Sequence, residues 1–456
     1  MAYYDVTHLS GEVPDLEEET PVRLAGRIVL FRSFGKLAFG HLQDRRGRIQ
    51  VAFTLDELGE EGMERAKAIA LGDIVGVDGA RWTTRKGEPT VRVKSFEILQ
   101  RTRTGFPDKW TGVTDVETRY RRRYLELALD EDARRRFLRR TWIVDSVREL
   151  MAEHDVLEVE TPVLTPQASG ASARPFVTHH NALDVDFFLR IAPETYLKRL
   201  VAGQFDRVYE IAKCFRNEGL DPSHLQEFTM LEWYVAYWDY TDNMRFTQEL
   251  LRRAARAADS ALDFEREWPV VDYRTAVREE TGIDLTAIRD VDALAAAMRE
   301  AGLEVPDADA VSYARLADSL YKRTVRPKLV QPCFLVGHPA EMVPLAQRNA
   351  EDPSKLDMFQ VVAEGWELAK GYSELVDPEE QLARLRAQSR GDDEAMAIER
   401  DFIEAMEFGM PPMSGVGVGI DRLTALLTGA TSVRDVVFFP QMRSGSGAPG
   451  EDPPDR

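Results

Sequence analysis

The sequence has little cysteine and no long apolar run. Only Cys214 and Cys333 occur, far apart and without zinc-ligand spacing, so we expect packing roles and neither a disulfide framework nor structural zinc. No stretch approaches the roughly eighteen consecutive apolar residues of a membrane helix. Residues 1–20 are acidic, whereas a secretory signal would be basic and then apolar. We therefore expect a cytoplasmic protein with no membrane partner.

The usual nucleotide-binding glycine motifs are also missing. No Walker A sequence occurs, and the glycines of residues 415–419 lack GxGxxG spacing. The net charge of 59 − 78 = −19 gives no general support for a polyanionic partner. If the protein binds ATP, it must hold the phosphates with arginines and metal. Arg216 and Arg422 are the candidates, because a guanidinium can grip phosphate or carboxylate in a bidentate manner.

The N-terminal part predicts a small β-barrel. Short strands separated by turn residues are predicted at 22–31, 36–42, 48–53, 73–82 and 90–99. Five strands and one helix are typical of an OB-fold. Phe39 and Gln50 lie on neighbouring strands of this barrel, where an aromatic ring could stack on a nucleic-acid base. A plain barrel-core aromatic is an equally good interpretation of Phe39 from the residues alone.

The rest of the chain predicts an α+β domain. We place an OB-fold domain at 1–108, a linker at 109–118, a catalytic domain at 119–443 and a flexible tail at 444–456. Helical spacing marks 124–154, a strand is predicted at 156–163, and a helical segment covers about 243–330. The catalytic domain should contain a mixed, mainly antiparallel sheet flanked by helices.

One predicted strand carries a carboxylate in a row of apolar side chains. In residues 228–240, strand alternation puts Phe228, Met230, Glu232 and Tyr234 on one face. A buried carboxylate needs a cation or strong donors, so Glu232 could face a ligand ammonium or a fixed internal Lys or Arg. Arg216 lies upstream, across a turn that predicts an antiparallel hairpin.

Several motifs in one order resemble class II lysyl-tRNA synthetases. Pro162 in EVETPVL resembles motif 1, FRNEG followed by EFTMLEWY resembles motif 2, and GVGVGIDR resembles motif 3. The segment ARPFVTHHNALDVDFFLRIAPETYLKRLVAG is similar to a stretch specific to the lysine branch. The resemblance extends from the barrel at residue 21 to about residue 443. It implies a two-domain enzyme that uses ATP and Mg²⁺ to join lysine to tRNA(Lys) through an adenylate.

The resemblance also implies roles for individual residues. Arg216 would hold the α-phosphate and the reacting carboxylate, Arg422 the γ-phosphate, and Glu367 a magnesium ion. Lysine and the tRNA anticodon would each have a separate set of contacts. Glu218 and His224 would contact ATP, and Phe228 would stack on its adenine. Gly170 and Glu194 would bind the α-amino group of lysine, and its side-chain ammonium would lie among Glu232, Tyr234, Tyr372 and Glu374. The anticodon would contact Arg32, Phe39 and Gln50.

Residues 358–374 depart from the family pattern. Gln360 stands in place of a second metal-binding carboxylate, which leaves its metal role doubtful. Trp366 replaces a common arginine. Lys370 replaces an asparagine that touches the substrate, and it shares a strand face with Tyr372 and Glu374. Lys370 could therefore pair with Glu374 or turn towards solvent or phosphate.

Two alternatives differ from lysine–tRNA ligation. The same adenylating chemistry could serve another amino acid or a protein acceptor, although the anticodon-type barrel argues against this. A catalytically silent nucleic-acid-binding paralogue would not need Arg216, Glu218, Glu367 and Arg422. Motif 1 around Pro162 further implies a homodimer.

Overall fold

The structure is a computed structural model that describes residues 4–103, 115–167, 169–171, 173–219, 221–306, 312–388 and 398–442. The chain forms two compact units, Met1–Ala133 and Arg134–Arg456. Most of the predicted linker 109–118 and the predicted tail 444–456 lie outside the described residues. The domain limits set from the sequence therefore remain a prediction.

The first unit contains a closed five-stranded barrel, so the predicted OB-type architecture is confirmed. Its strands follow the order β1-β2-β3-β5-β4, with the parallel pair β3/β5 closing the barrel. Apolar side chains from each strand alternate inwards and fill the interior. The elements are β1 Pro21–Phe34, β2 Leu37–Asp44, β3 Gly47–Thr54, α1 Leu55–Lys67, β4 Ile74–Thr83, β5 Pro89–Gln100, α2 Val116–Arg121 and α3 Arg123–Leu129.

The second unit combines helices with two sheets. Among the described residues, no helix has the length and apolarity needed to cross a bilayer. The helices are α4 Glu131–Glu153, α5 Glu194–Ala202, α6 Tyr240–Ala257, α7 Tyr273–Thr281, α8 Val291–Glu300, α9 Tyr313–Thr324, α10 Pro378–Gln388, α11 Arg400–Gly409 and α12 Ile420–Leu427. The strands are β6 Leu157–Glu158, β7 Leu164–Thr165, β8 Val177–His180, β9 Val185–Leu189, β10 Arg207–Phe215, β11 Glu227–Ala236, β12 Val270–Asp272, β13 Cys333–Val336, β14 Met358–Ala363, β15 Trp366–Ser373 and β16 Met413–Gly419.

The larger sheet is mixed and mainly antiparallel, as predicted. Its order is β12-β13-β14-β15-β16-β11-β10-β6, and only the outer pairs β12/β13 and β10/β6 are parallel. Strands β10 and β11 form the predicted hairpin, with Glu210 opposite Glu232. Strands β7, β9 and β8 form a separate small sheet.

Strand alternation gives the large sheet two different faces. On one face, Leu231, Trp233 and Val235 of β11 enter a core that includes Phe246 of α6. The indole of Trp233 is fully buried and donates to Asn243 Oδ1 at 2.8 Å. The neighbouring residues of β11 point to the other face, which carries the polar site described below.

The strand predicted at 156–163 is wrong in its extent. Only Leu157–Glu158 pairs with β10, and the chain then leaves the sheet. Thr161 instead donates to the Glu210 carboxylate at 2.6 Å, and Pro162 has no N–H for a strand ladder. Arg190 also binds Glu210 and the Thr161 carbonyl, so side chains replace the expected backbone pairing.

Candidate functional site

A cavity of about 770 Å³ lies on the polar face of the large sheet. Its size is in the range of small-molecule sites. Of the residues predicted to contact ATP or the amino acid, all except Glu374 line it. Those lining residues are Gly170, Glu194, Arg216, Glu218, His224, Phe228, Glu232, Tyr234, Gln360, Glu367, Lys370, Tyr372 and Arg422.

Glycines of β16 form the floor of this cavity. Gly415 lies between Tyr234 and Tyr372 in the strand register, and Gly417 lies between Glu232 and Lys370. A Cβ at Gly415 would overlap the Tyr234 ring and approach Glu374 Oε1 to 2.7 Å. The glycines predicted as a run entering a helix thus leave space between functional side chains on both neighbouring strands.

At one end of the cavity, a buried ammonium binds two carboxylates. Lys198 Nζ lies 2.6 Å from Glu194 Oε1 and is also paired with Glu374. The Tyr372 hydroxyl donates to the same Glu194 oxygen at 2.8 Å, and the ammonium lies 5.7 Å from the Tyr234 ring centroid. Burial would lower the pKa of Lys198, but Glu194 and Glu374 outweigh it and raise the pKa. Lys198 therefore stays charged.

Glu232 is the third carboxylate at this end of the cavity, and Lys198 does not pair with it. Among the described residues, no Lys or Arg lies within ion-pairing distance of it, and the Tyr234 hydroxyl donates to its Oε2 at 3.2 Å. Burial, followed by the charge of Glu194, raises the pKa of Glu232 to about 8. Glu232 is thus largely protonated at pH 7 and would accept a cation from a ligand.

Gly170 lies beside Glu194, as their shared predicted role requires. Its φ of +86° is in the left-handed region, and a Cβ there would be 3.1 Å from the Ala192 Cβ. Both the backbone conformation and the lack of space for a side chain therefore favour glycine at this position. The roles assigned to Gly170 and Glu194 in holding an α-amino group remain predictions.

Glu374 does not reach the cavity. It is 1% exposed and lies next to Gly415, where it pairs with Lys198 and not with Lys370. One of the two acids expected to face an incoming ammonium thus has an internal cation. The other, Glu232, faces open space, so the cavity can still accept a small cationic group there.

At the opposite end, Arg216 and Phe228 lie together. The Arg216 guanidinium is 5.1 Å from the Phe228 ring centroid, and its buried Nε has no hydrogen-bond partner in the part of the chain that the structure describes. No carboxylate of the described residues is within ion-pairing distance of Arg216, Lys370 or Arg422. A cavity with three such cations favours a polyanionic ligand.

His224 connects the loop between β10 and β11 to Arg422. Its Nδ1 lies 2.7 Å from Asp221 Oδ2, and its Nε2 lies 2.5 Å from Arg422 Nη2. Because a guanidinium only donates, Nε2 accepts and Nδ1–H donates to Asp221. Burial and the charge of Arg422 lower the pKa of His224, which agrees with this neutral tautomer. The geometry brings two predicted ATP contacts together.

The predicted metal position contains one carboxylate and one amide. Gln360 Nε2 donates to Glu367 Oε2 at 2.9 Å, and the buried Gln360 Oε1 accepts no hydrogen bond from any described residue. No group of three His, Cys, Asp or Glu side chains suited to a metal occurs in the described part of the chain. This set does not fit a metal site built from protein ligands alone. It fits one carboxylate contact to a magnesium ion that arrives on a phosphate ligand.

In the barrel, the three predicted anticodon residues share the outer face. Arg32 is paired with Phe39 across β1 and β2, while Gln50 lies on β3, two residues from Ala52, the partner of Phe39. Gln50 donates to Glu88 Oε2 at 2.9 Å and accepts from Thr90 at 2.8 Å. Phe39 is half-buried and Arg32 is exposed, so this face could contact a ligand.

Comparison with known proteins agrees with this geometry. Residues 115–443 match the family described as tRNA synthetases class II (D, K and N), and residues 22–99 match the OB-fold nucleic acid binding domain. The chain belongs to the class II tRNA synthetases. It is 43% identical to a lysine–tRNA ligase of Aquifex aeolicus over 93% of this chain and 73% of the relative. For the lysine–tRNA ligases of Carboxydothermus hydrogenoformans and Staphylococcus saprophyticus, identity is 42%, covering 96% and 95% of this chain and 93% and 90% of theirs.

Two residues of this synthetase site were missed in the sequence. The Glu194–Lys198 spacing of i, i+4 is a detectable helix-pair signal, but it gives no sign that the ammonium is buried. His338 lines the cavity, its buried ring nitrogens have no hydrogen-bond partner among the described residues, and burial lowers its pKa to about 4. Nothing near His338 in the sequence indicates a site.

The glycine floor of the synthetase cavity gives a direct prediction. Gly415→Ala should lower the free energy of unfolding by about 2 kcal/mol, because its Cβ would force Tyr234 and Glu374 apart. Gly417→Ala is the matched control, since its Cβ would lie 3.7 Å from the nearest atoms and should change stability by less than about 1 kcal/mol. Urea unfolding measures both. Equal stability of the two variants would contradict the packing described.

Proposed function

We propose that this protein joins lysine to tRNA(Lys) in two steps, through a lysyl-adenylate. The proposal rests on one observation. A single cavity contains a buried carboxylate without an ion-pair partner among the described residues, Glu232, and, elsewhere in it, cations without a carboxylate partner there. An amino acid with a side-chain ammonium would bind Glu232, and the phosphates of ATP would bind the cations. The similarity to lysine–tRNA ligases along nearly the whole chain supports the same substrates.

Lysine would bring two ammonium groups to three buried carboxylates that share one internal ammonium. Its α-amino group would bind Glu194 beside Gly170, and its side-chain ammonium would bind Glu232 among the rings of Tyr234 and Tyr372. Ring faces attract an ammonium, and burial strengthens that attraction. Glu374 would act indirectly, by holding Lys198 in place.

ATP would occupy the end that contains Arg216 and Phe228. Phe228 would stack on adenine, Glu218 and His224 would contact the nucleotide, and Arg216 and Arg422 would bind the α- and γ-phosphates. A lysine carboxylate oxygen would attack the α-phosphorus, and pyrophosphate would leave. Negative charge develops on the phosphate oxygens in the transition state. These residues would therefore act by positioning the substrates and stabilising that charge, without a protein nucleophile. Magnesium would enter with ATP, with Glu367 as its protein ligand.

Amino-acid-dependent pyrophosphate exchange tests this first step. Among all twenty amino acids, lysine should give the highest kcat/KM, because only its side chain offers a primary ammonium at the depth of Glu232. Norleucine is the control, since it keeps the length but has no ammonium, and it should be at least about a hundredfold poorer. Exchange that depends on a different amino acid and not on lysine would leave the adenylating chemistry and remove lysine as its substrate.

We further propose that the barrel face with Arg32, Phe39 and Gln50 binds the tRNA anticodon. Stacking on Phe39 and hydrogen bonds to Gln50 are the interactions that such a face offers to unpaired bases. Because charged tRNA is used in translation, we place the protein in the cytoplasm.

Phe39→Ala tests this surface. The kcat/KM for tRNA charging should fall by at least about tenfold through loss of one stacking contact. Lysine-dependent pyrophosphate exchange should be unchanged, because that step takes place in the second unit. Phe39→Trp, which keeps a stacking ring, should restore charging. Equal charging by Phe39→Ala and the unmodified protein would rule out the proposed role.

The protein is also proposed to form a homodimer through the region around Pro162. Apolar side chains are exposed there, including Leu157, Val163 and Leu164, and Val177 of the small sheet is 58% exposed. Covering these side chains with a second copy would remove apolar surface from water.

Sedimentation equilibrium tests the dimer. The unmodified protein should sediment as a dimer at micromolar concentration, and Leu164→Lys should shift it towards monomer by placing charge in the apolar surface. Leu71→Lys, a similarly exposed site in the first unit, should leave the dimer intact. A monomer for the unmodified protein would exclude this assembly.

A further inference from the structure

The cavity wall around Glu367 has more positive than negative charge. Burial would raise the pKa of Glu367, but Arg422, Lys370 and Lys322 outweigh it and keep the pKa below its usual value. Glu367 lines the cavity together with Lys322, Lys370 and Arg422, so three cations and one further carboxylate, Asp318, share this part of the wall. Lys322 is paired with Asp318 at 2.6 Å, whereas Lys370 and Arg422 have no such partner among the described residues.

Gln360 and Lys370 occupy directly opposite positions on β14 and β15. Gln360 directs its amide N–H to Glu367, so one oxygen of that carboxylate already accepts a hydrogen bond. An amide N–H cannot bind a metal, and divalent magnesium prefers oxygen ligands in near-octahedral geometry. The other end of the Gln360 amide offers only a neutral oxygen, so this pair supplies no second negative charge for a metal ion and places the Lys370 amino group next to the first.

The position of Lys370 in the cavity limits which anions it can contact. Lys370 lines the cavity, and Gly417 separates it from Glu232 in the register of the sheet. The nearest strand spacings place the two Cα atoms roughly 10 Å apart. Arg422, which would hold the γ-phosphate, lines the same cavity as Glu367 and Lys370. A phosphate chain bound by Arg422 would thus pass within the field of Lys370.

We propose that Lys370 takes the place of a second divalent cation, binding the ATP phosphates directly, so that nucleotide binding uses a single magnesium ion. Gln360 supports this arrangement by holding Glu367 with an amide N–H where a second carboxylate would attract another metal ion. The inference rests on the proposed ATP site and goes beyond it by assigning this chain's own residue to phosphate neutralisation.

ATP binding measured by calorimetry over a series of free Mg²⁺ concentrations tests the proposal without relying on catalysis. The slope of log Kd against log free Mg²⁺ gives the number of ions taken up with ATP. The unmodified protein should give a slope equivalent to about one ion, and its binding in EDTA should remain measurable. The Gln360→Glu/Lys370→Asn double variant should give about two.

Single substitutions separate the role of Lys370 from its surroundings. Lys370→Asn should weaken ATP binding in EDTA by about tenfold or more, the usual size of a lost charged hydrogen bond, and added Mg²⁺ should recover part of the loss. Lys370→Arg should keep the binding in EDTA. Lys213→Asn is the control for net charge, because Lys213 is exposed and paired with Glu227 on the opposite face of the sheet. Thermal unfolding would show that each variant is folded.

Three results would overturn the proposal. One is an uptake of two magnesium ions by the unmodified protein. A second is unchanged ATP binding by Lys370→Asn in EDTA, and a third is a loss of lysine affinity with unchanged ATP affinity in that variant. If the unmodified protein binds no ATP at any Mg²⁺ concentration, the proposed function fails as well.

Discussion

The buried Lys198 ammonium sets the charge of the whole amino-acid end of the cavity. It is fully enclosed and lies close to both Glu194 and Glu374, so two carboxylates share one positive charge, while Glu232 has no ion-pair partner among the described residues. A buried carboxylate without a cation is costly, so the empty site holds Glu232 largely as the acid. Binding of one further ammonium would relieve that cost, and this gives the cavity its preference for a basic amino acid.

The register of the central sheet places the other side chains of the site around these carboxylates. Strand β11 alternates, so that Trp233 closes the core on one face while Glu232 and Tyr234 form the cavity wall on the other. The glycines of β16 lie between these residues and their counterparts on β15. Because one strand supplies both faces, the stability of the core and the geometry of the site depend on the same register.

Much of this arrangement could be predicted from the sequence because it depends on local patterns. The barrel strands, the β10/β11 hairpin and the shared face of Phe228, Glu232 and Tyr234 all follow from alternation and turn residues. The partner of Glu374 could not be predicted, since it depends on how the start of α5 packs against β15. The same limit applies to His338. Gln360 was visible as a departure, but the direction of its amide hydrogen bond required the structure.

The central claim is that Glu232 is protonated in the empty cavity and ionised beside lysine. Calorimetric titration of lysine at pH 7, in two buffers with different ionisation enthalpies, counts the protons exchanged on binding. A pKa of about 8 in the empty protein predicts release of about one proton per lysine, with tighter binding as the pH rises towards 8. Glu232→Gln should abolish the release. Lysine binding without proton release, and with an affinity independent of pH between about 6 and 8, would contradict the account.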